Sequence, residues 1–315
     1  MNGRRGSKGP GSTVKNVVIV LEYDGSAFHG FQAQRRGGEL PTVQETVEAA
    51  IGELTGEKVR VVAAGRTDAG VHAVGQVIQF ATCSSIPVER WPAALNSRLP
   101  PAIRAWRALQ APASFHVRYD AARKLYRYRF YYSPIEAALS RHYAVAVWPP
   151  LDTERMAQAA LRFEGEHDLR AFCGAGRRPR SWRRRIFRCR LLPDPPLAAH
   201  TGDFFGDRTD LVVLGATGRE DTWSGPGWSF WVEAEGFLYH QVRTMVGTLW
   251  EIGRGERSPV SLDHLLTGVP RAEAGPTAPA RGLYLMAVAY PREALWPQPG
   301  VSSGPPNSHL ETVDR

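Results

Sequence analysis

Apolar and polar positions change period repeatedly along the chain, and each change marks an element. "NVVIVLEYDGS" opens with a near-continuous apolar run, Val17 to Glu22, which predicts a buried strand ending in a turn at Asp24-Gly25. "TVQETVEAAIGELTG" then takes the helical period: Val43, Val47, Ala50, Ile51 and Leu54 share one face. Thr42 and Glu45 have capping-box spacing, and Gly56 supplies a stop. "KVRVVAAG" and "VGQVIQFAT" predict two strands, "PVERWPAALNSRLP" a short helix and "IRAWRALQ" another strand. "KLYRYRFYY" alternates, with Tyr126, Tyr128 and Phe130 on one face and Leu125, Arg127 and Arg129 on the other. "LDTERMAQAALRFEG" predicts a helix capped by Asp152, with Met156, Ala159, Ala160 and Phe163 inward. "IFRCRLL" alternates again, setting Phe187, Cys189 and Leu191 against Arg188 and Arg190. "WSFWVEAEG" predicts a strand. "FLYHQVRTMVGTLWEIG" predicts the strongest helix, with the stripe Leu238, Val242, Met245, Leu249 and Ile252, and "GLYLMAVAYP" a closing strand.

Strands and helices alternate without the regular rhythm of a doubly wound sheet. The class expected is α+β, a mostly antiparallel mixed sheet with helices packed on it. One strand–helix–strand set precedes Ala111 and another follows it, which divides the chain into 15–111 and 112–295. Turn formers crowd 193–227, expected as an insertion with a short hairpin around Leu211 to Leu214. The basic leader 1–14 and the Pro/Ser/Gly-rich tail 296–315 are expected to be disordered.

Charge narrows the partners. Lys plus Arg number 39 against 31 acids in 315 residues, a net charge of +8, which favours a polyanion. Three widely spaced cysteines, Cys83, Cys173 and Cys189, fit a reducing cytoplasm rather than a disulfide framework. The nine histidines show no metal-type spacing, the leader lacks the apolar run of a signal peptide, and no apolar stretch matches a bilayer.

The candidate chemistry lies in "AAGRTDAGVHAVGQV", Ala63 to Val77. It holds one carboxylate, Asp68, two residues after Arg66, between Gly65 and Gly70. Glycines there permit unusual backbone conformations and close approach of a ligand. Arg66 could keep the acid ionised or grip a phosphate. The bland reading of Asp68 is an Asx-turn between two strands.

The longer string "GRTDAGVHAVGQV" resembles the active-site motif of the TruA family of tRNA pseudouridine synthases. "LEYDGSAFHGFQAQ", "TVQETVEAAI", "LNSRLP", "FHVRYDAARKLYRYRF", "FEGEHDLRAF", "FLYHQVRTMVGTLWEIGRGE" and "ARGLYLMAVAYP" are similar to further family blocks in the same order. The likeness runs from Lys15 to Pro291 apart from the insertion, and departs where Phe31 stands for the usual tryptophan. It implies two pseudo-related ferredoxin-like halves, a cytoplasmic homodimer and isomerisation of uridine to pseudouridine in the anticodon stem-loop, at tRNA positions 38–40. It implies that Asp68 is the catalytic carboxylate, either attacking C1′ or removing the C2′ proton. By matching position, Tyr126 would stack on the base, Arg243 would pair with the acid, Arg66 would displace the base and engage the backbone, and Leu283 would pack on the uracil. No cofactor and no metal are implied.

RNA itself would meet the basic run Arg177, Arg178, Arg180, Arg183, Arg184, Arg185, Arg188 and Arg190, eight arginines in fourteen positions with Trp182 inside. Arginine's planar fork suits phosphate, and folded RNA is recognised largely through shape and backbone. Arg118 and Arg123 are further candidates, and binding is expected to weaken with salt. The apolar helix after Gly236 and the tryptophans could serve either a dimer interface or the core. Two other readings are an RNA-binding protein that keeps the fold without catalysis, and an N-glycosidase. The set Asp68, Tyr126 and Arg243 speaks against the first, and the lack of a second placed acid against the other.

Overall fold

A computed structural model describes residues 13–34, 40–176, 179–194, 204, 208–215 and 227–296. β1 (Lys15–Tyr23) is followed by α1 (Val43–Thr55), β2 (Val62–Ala63), β3 (His72–Thr82), α2 (Trp91–Asn96) and β4 (Ile103–Ala111). The apolar run of β1 is buried because strands flank it on both sides, β3 on one and β4 on the other, both antiparallel. With β2 on the far end of β3, the order is β4-β1-β3-β2.

The later elements repeat that plan. β5 (Arg123–Tyr132), β6 (Val145–Val147), α3 (Thr153–Ala160), β7 (Gly165–Asp168), β8 (Arg183–Pro193), β9 (Leu211–Gly215), β10 (Trp228–Ala234), α4 (Gln241–Gly253), α5 (Ser261–Leu265), β11 (Leu283–Pro291) and α6 (Arg292–Leu295) follow in turn. The main strands run β11-β5-β10-β8, so a first strand lies between the fourth and third in both sets, as in a ferredoxin-like arrangement. A parallel pairing of β3 with β11, Tyr284 opposite His72 and Leu285 opposite Ala73, joins the sets into one mixed sheet. His72 lies four residues after Asp68, so this seam borders the candidate motif.

The helices are specified as the pattern requires. In α1 the Glu45 N–H donates to Thr42 Oγ1 and the Thr42 N–H donates to Glu45 Oε2, closing the capping box. Gly56 ends the helix at φ 70°. Every residue of α4 except Arg243 and Glu251 is buried, so this helix belongs to the core and not to an exposed interface. Its Trp250 meets Tyr128 and Phe130 edge-on, at 5.8 and 5.9 Å between centroids. The opposite face of β5 carries Leu125, which packs with Trp231, Met286 and Phe204.

Four elements differ from the pattern. "KVRVVAAG" yields only the two-residue β2, because α1 side chains take the backbone before it. The Val61 N–H donates to Glu48 Oε1 (2.9 Å), and Gln44 Nε2 donates to the Val61 carbonyl (3.3 Å). The last long helix starts at Gln241, leaving Leu238 buried but outside it, because His240 adopts a left-handed conformation at φ 60°. "IFRCRLL" is broken by a bulge against β10 that buries Ile186 with Cys189 and turns Phe187 out under Arg123, whose Cζ is 4.0 Å from the ring centroid. Leu211 to Leu214 does not fold back on itself; β9 adds to β11, Pro291 opposite Leu211.

Candidate active site

Three segments converge on Asp68: the β2–β3 turn that carries it, the first turn of α4, and the loop from Thr277 to Leu283. The turn is tied down from below. Gln76 Nε2 donates to the Gly65 carbonyl (2.8 Å), and the Tyr23 and Thr67 hydroxyls lie 2.7 Å apart. The Phe31 N–H donates to the Thr67 carbonyl (3.0 Å), and the Val71 N–H to that of Asp68 (3.1 Å). Gly30, at φ 80°, lies so close that a Cβ would sit 2.9 Å from the Thr67 oxygen. The segment after β1 is therefore a buttress for the Asp68 turn. Phe31 is buried in it, 6.4 Å from the Tyr23 ring, so its departure from tryptophan is a packing change.

Of the two glycines flanking Asp68, Gly70 takes a left-handed conformation at φ 75°. Gly65 does not. A Cβ there would meet the Tyr126 hydroxyl at 3.7 Å and Lys124 Nζ at 3.8 Å, so it faces the same hollow as both. His72 fixes the far end of the turn. Its Nδ1 accepts from the Gly25 N–H (3.0 Å), which leaves the proton on Nε2 for the His142 carbonyl (2.7 Å). Asp24 lies 3.3 Å from that same Nδ1, but a nitrogen that accepts from Gly25 cannot also donate to Asp24.

Asp68 is about a quarter exposed, and its two oxygens differ. Oδ2 accepts from Arg243 Nη1 at 3.2 Å and lies 3.3 Å from His240 Nε2. Oδ1 accepts no hydrogen bond among the described residues. Arg243 is itself held, since its Nε donates to the Ala278 carbonyl (2.7 Å) and the Ala278 N–H to the Arg243 carbonyl (3.1 Å). One oxygen is thus anchored and the other open, which suits a carboxylate that must react.

Tyr126 forms the floor. It is buried, meets Phe237 edge-on at 4.9 Å, and makes no hydrogen bond through its hydroxyl among the described residues. Burial, then the nearby Tyr23 and Asp68, push its phenol well above the usual range, so it stays neutral. Leu283 is buried opposite Tyr128 in the β5–β11 register, two residues along β5 from Tyr126. Arg66 is exposed at the rim.

The basic candidates do not form one patch. Arg118 is close enough to Arg66 for their charges to interact, and Lys124 feels both Arg118 and Arg184. Burial and then these two guanidiniums push the Lys124 amine down to about 8 while its Nζ donates to the Ala64 carbonyl (2.7 Å). Arg66, Arg118, Lys124 and Arg184 therefore concentrate positive charge around the hollow. Arg183 is exposed and pairs with Glu166 (2.9 Å), and Arg180 is exposed nearby. Arg123 lies on the opposite face of β5 from Tyr126, in an ion pair with buried Glu233 (2.6 Å), so it is a structural group. Arg188 lies near the Phe204 ring and Arg190 pairs with Glu164, so both are engaged within the fold. Arg177 and Arg178 lie outside the described residues.

Reading the sequence passed over Lys124 and His240. The available signal for His240 was its spacing, since three residues before Arg243 places both side chains over the same turn of a helix.

The family model of tRNA pseudouridine synthase matches residues 19–120 and 159–291. The chain is 44% identical over 274 residues to tRNA pseudouridine synthase A of Moorella thermoacetica, covering 87% of this chain and 99% of that one. It is 40% identical over 281 residues to the protein of the same name from Syntrophomonas wolfei, covering 89% and 100%. A fold and site of this kind define an RNA-modifying isomerase. The chain belongs to the tRNA pseudouridine synthase A family, whose members isomerise uridine to pseudouridine in tRNA.

Proposed function

We propose that this isomerase acts on uridines of the anticodon stem-loop, at tRNA positions 38–40, with Asp68 as its single catalytic carboxylate. The observation that carries the reading is the asymmetry of Asp68: Oδ2 is held by Arg243, while Oδ1 accepts no hydrogen bond among the described residues, and buried Tyr126 lies close enough to feel the acid's charge. In the reaction the N1–C1′ bond breaks and a C5–C1′ bond forms. The hydrogen leaves C5 as a proton, and N1 gains one. No electrons are gained or lost. Attack on C1′ and abstraction of the C2′ proton both need an ionised carboxylate with a free oxygen. Arg243 places a positive charge beside the anchored oxygen.

Tyr126 and Leu283 supply apolar surfaces for a base that has left its stack, while exposed Arg66 takes its place and meets the backbone. Arg118, Arg180, Arg183 and Arg184, with Lys124, bind phosphates along the approach. The protein works in the cytoplasm as a homodimer. Exposed Ile135, Leu139 and Trp148, on the segment after β5, give apolar surface for the partner copy. Sequencing an unmodified tRNA after reaction tests the site choice. Pseudouridine is expected in the anticodon arm, and modification confined to another arm would contradict the proposal.

A further inference from the structure

His240 is the only described residue other than glycine with a positive φ, at φ 60° and ψ 4°. Histidine in this conformation is strained, and glycine would turn the chain there without strain. Strain of this kind persists where the surroundings enforce it, and it clusters at functional sites. Here the surroundings are specific. The Gly174 N–H donates to the Tyr239 carbonyl (2.8 Å), the Leu238 N–H to Gln241 Oε1 (2.8 Å), and the Thr244 N–H to the His240 carbonyl (3.0 Å). The imidazole is clamped on two sides. Tyr239 stacks on it at 3.7 Å between centroids, and Gly174 lies so near that a Cβ would be 2.7 Å from Nδ1. What the clamp achieves is to hold Nε2 3.3 Å from Asp68 Oδ2, the same oxygen that Arg243 holds.

We propose that His240 is a positioning residue for the catalytic carboxylate: its neutral imidazole, with the proton on Nε2, shares Oδ2 with Arg243 and keeps Oδ1 turned toward the substrate. The inference rests on the reading of Asp68 as the catalytic acid. The charged groups facing the imidazole are Asp68 from the β2–β3 turn, Arg243 from α4, and Arg271 from the short helical turn after α5. Burial lowers the imidazole's proton affinity, Asp68 raises it, and Arg243 and Arg271 lower it; the net direction is down, so the ring is neutral at neutral pH. Acid that protonates it sets a second cation against Oδ2 and weakens the carboxylate as a base or nucleophile. Turnover therefore falls as pH drops below the ordinary histidine range.

Glycine and asparagine make a clean test, because both accept the left-handed backbone. His240→Gly keeps the turn and removes the ring. It is expected to lower kcat at least about tenfold, with Kd for tRNA within about threefold and Tm near wild type. His240→Asn restores a neutral donor and is expected to recover part of kcat, with the acid limb of the kcat–pH profile moved to lower pH. A glycine variant with kcat within about twofold of wild type, or one impaired through Kd alone, overturns the proposal. Should the glycine variant melt far below wild type, the asparagine profile decides, and an acid limb that coincides with wild type overturns it. Asp68→Asn, assayed alongside, separates the two readings. If it turns over like wild type, the assignment of Asp68 fails. If it is inactive while His240→Gly is unimpaired, the role of His240 alone fails.

Discussion

Lys124 and Asp194 show how a side chain's surroundings set what it can do. The Lys124 amine, held down to about 8 by burial and by Arg118 and Arg184, is mostly charged at pH 7 and mostly neutral at pH 9. If it helps hold RNA phosphate, tRNA affinity falls between those pH values more steeply than for Lys124→Arg, which stays charged; parallel slopes in titrations at constant salt would remove Lys124 from the interface. Asp194 has the opposite situation. Its carboxylate is buried between Arg127 and Arg129 of β5 and accepts from Ser229 of β10 (2.7 Å). Burial pushes its carboxyl up, but the two guanidiniums and the hydroxyl together hold it below the usual range. A depressed carboxyl stabilises the fold above its unfolded pKa, and that stability is lost as pH falls through the folded one. Asp194→Ala removes a buried carboxylate shared by both guanidiniums and is expected to cost about 1.5–3 kcal/mol in chemical denaturation, with a flatter response to acid. A loss under about 1 kcal/mol would mean that water or another group replaces the carboxylate.

Among the elements, α4 and the loop before β11 form one device. Gly247 packs against the loop so tightly that a Cβ would stand 1.8 Å from the Pro276 carbonyl oxygen. Two residues on, Ala278 holds Arg243 through both its N–H and its carbonyl. Gly247→Ala is expected to push the loop off the helix, cost about 1–3 kcal/mol in stability and lower kcat by displacing Arg243. Unchanged kcat in a destabilised variant would show that Arg243 is held from elsewhere. The α1 capping box, the alternation of β5 and the apolar run of β1 were legible in the sequence because each depends on local spacing. The Asp68 turn was legible because its string is long and specific. What spacing could not reveal came from partners far along the chain. Glu48 and Gln44 took the backbone that "KVRVV" offered to a ladder. Asp194 buried Arg127 and Arg129, which alternation alone would leave facing solvent. Glu233 took Arg123 out of the basic surface, and the clamp on His240 cut four residues from the start of the longest expected helix.

At the scale of the molecule, the seam between β3 and β11 explains where the site lies. One hydrophobic core runs through both sets of strands and helices, and the β3–β11 pairing brings the Asp68 turn from one set together with Tyr126, Arg243 and Leu283 from the other. Neither set alone holds both the acid and the groups that anchor it. The basic surface spans the same seam, with Arg66 of the first set close enough to Arg118 of the second for their charges to interact, and Lys124 close enough to Arg118 and Arg184. The most direct test uses unmodified tRNA carrying tritium at uridine C5, with release followed for the wild type and for Asp68→Asn. Wild-type release, with none from the variant although it still binds tRNA, is the predicted result, because C5 must give up its hydrogen once it bonds to C1′ and the proposed role falls to the Asp68 carboxylate. Release by Asp68→Asn at the wild-type rate would contradict the account.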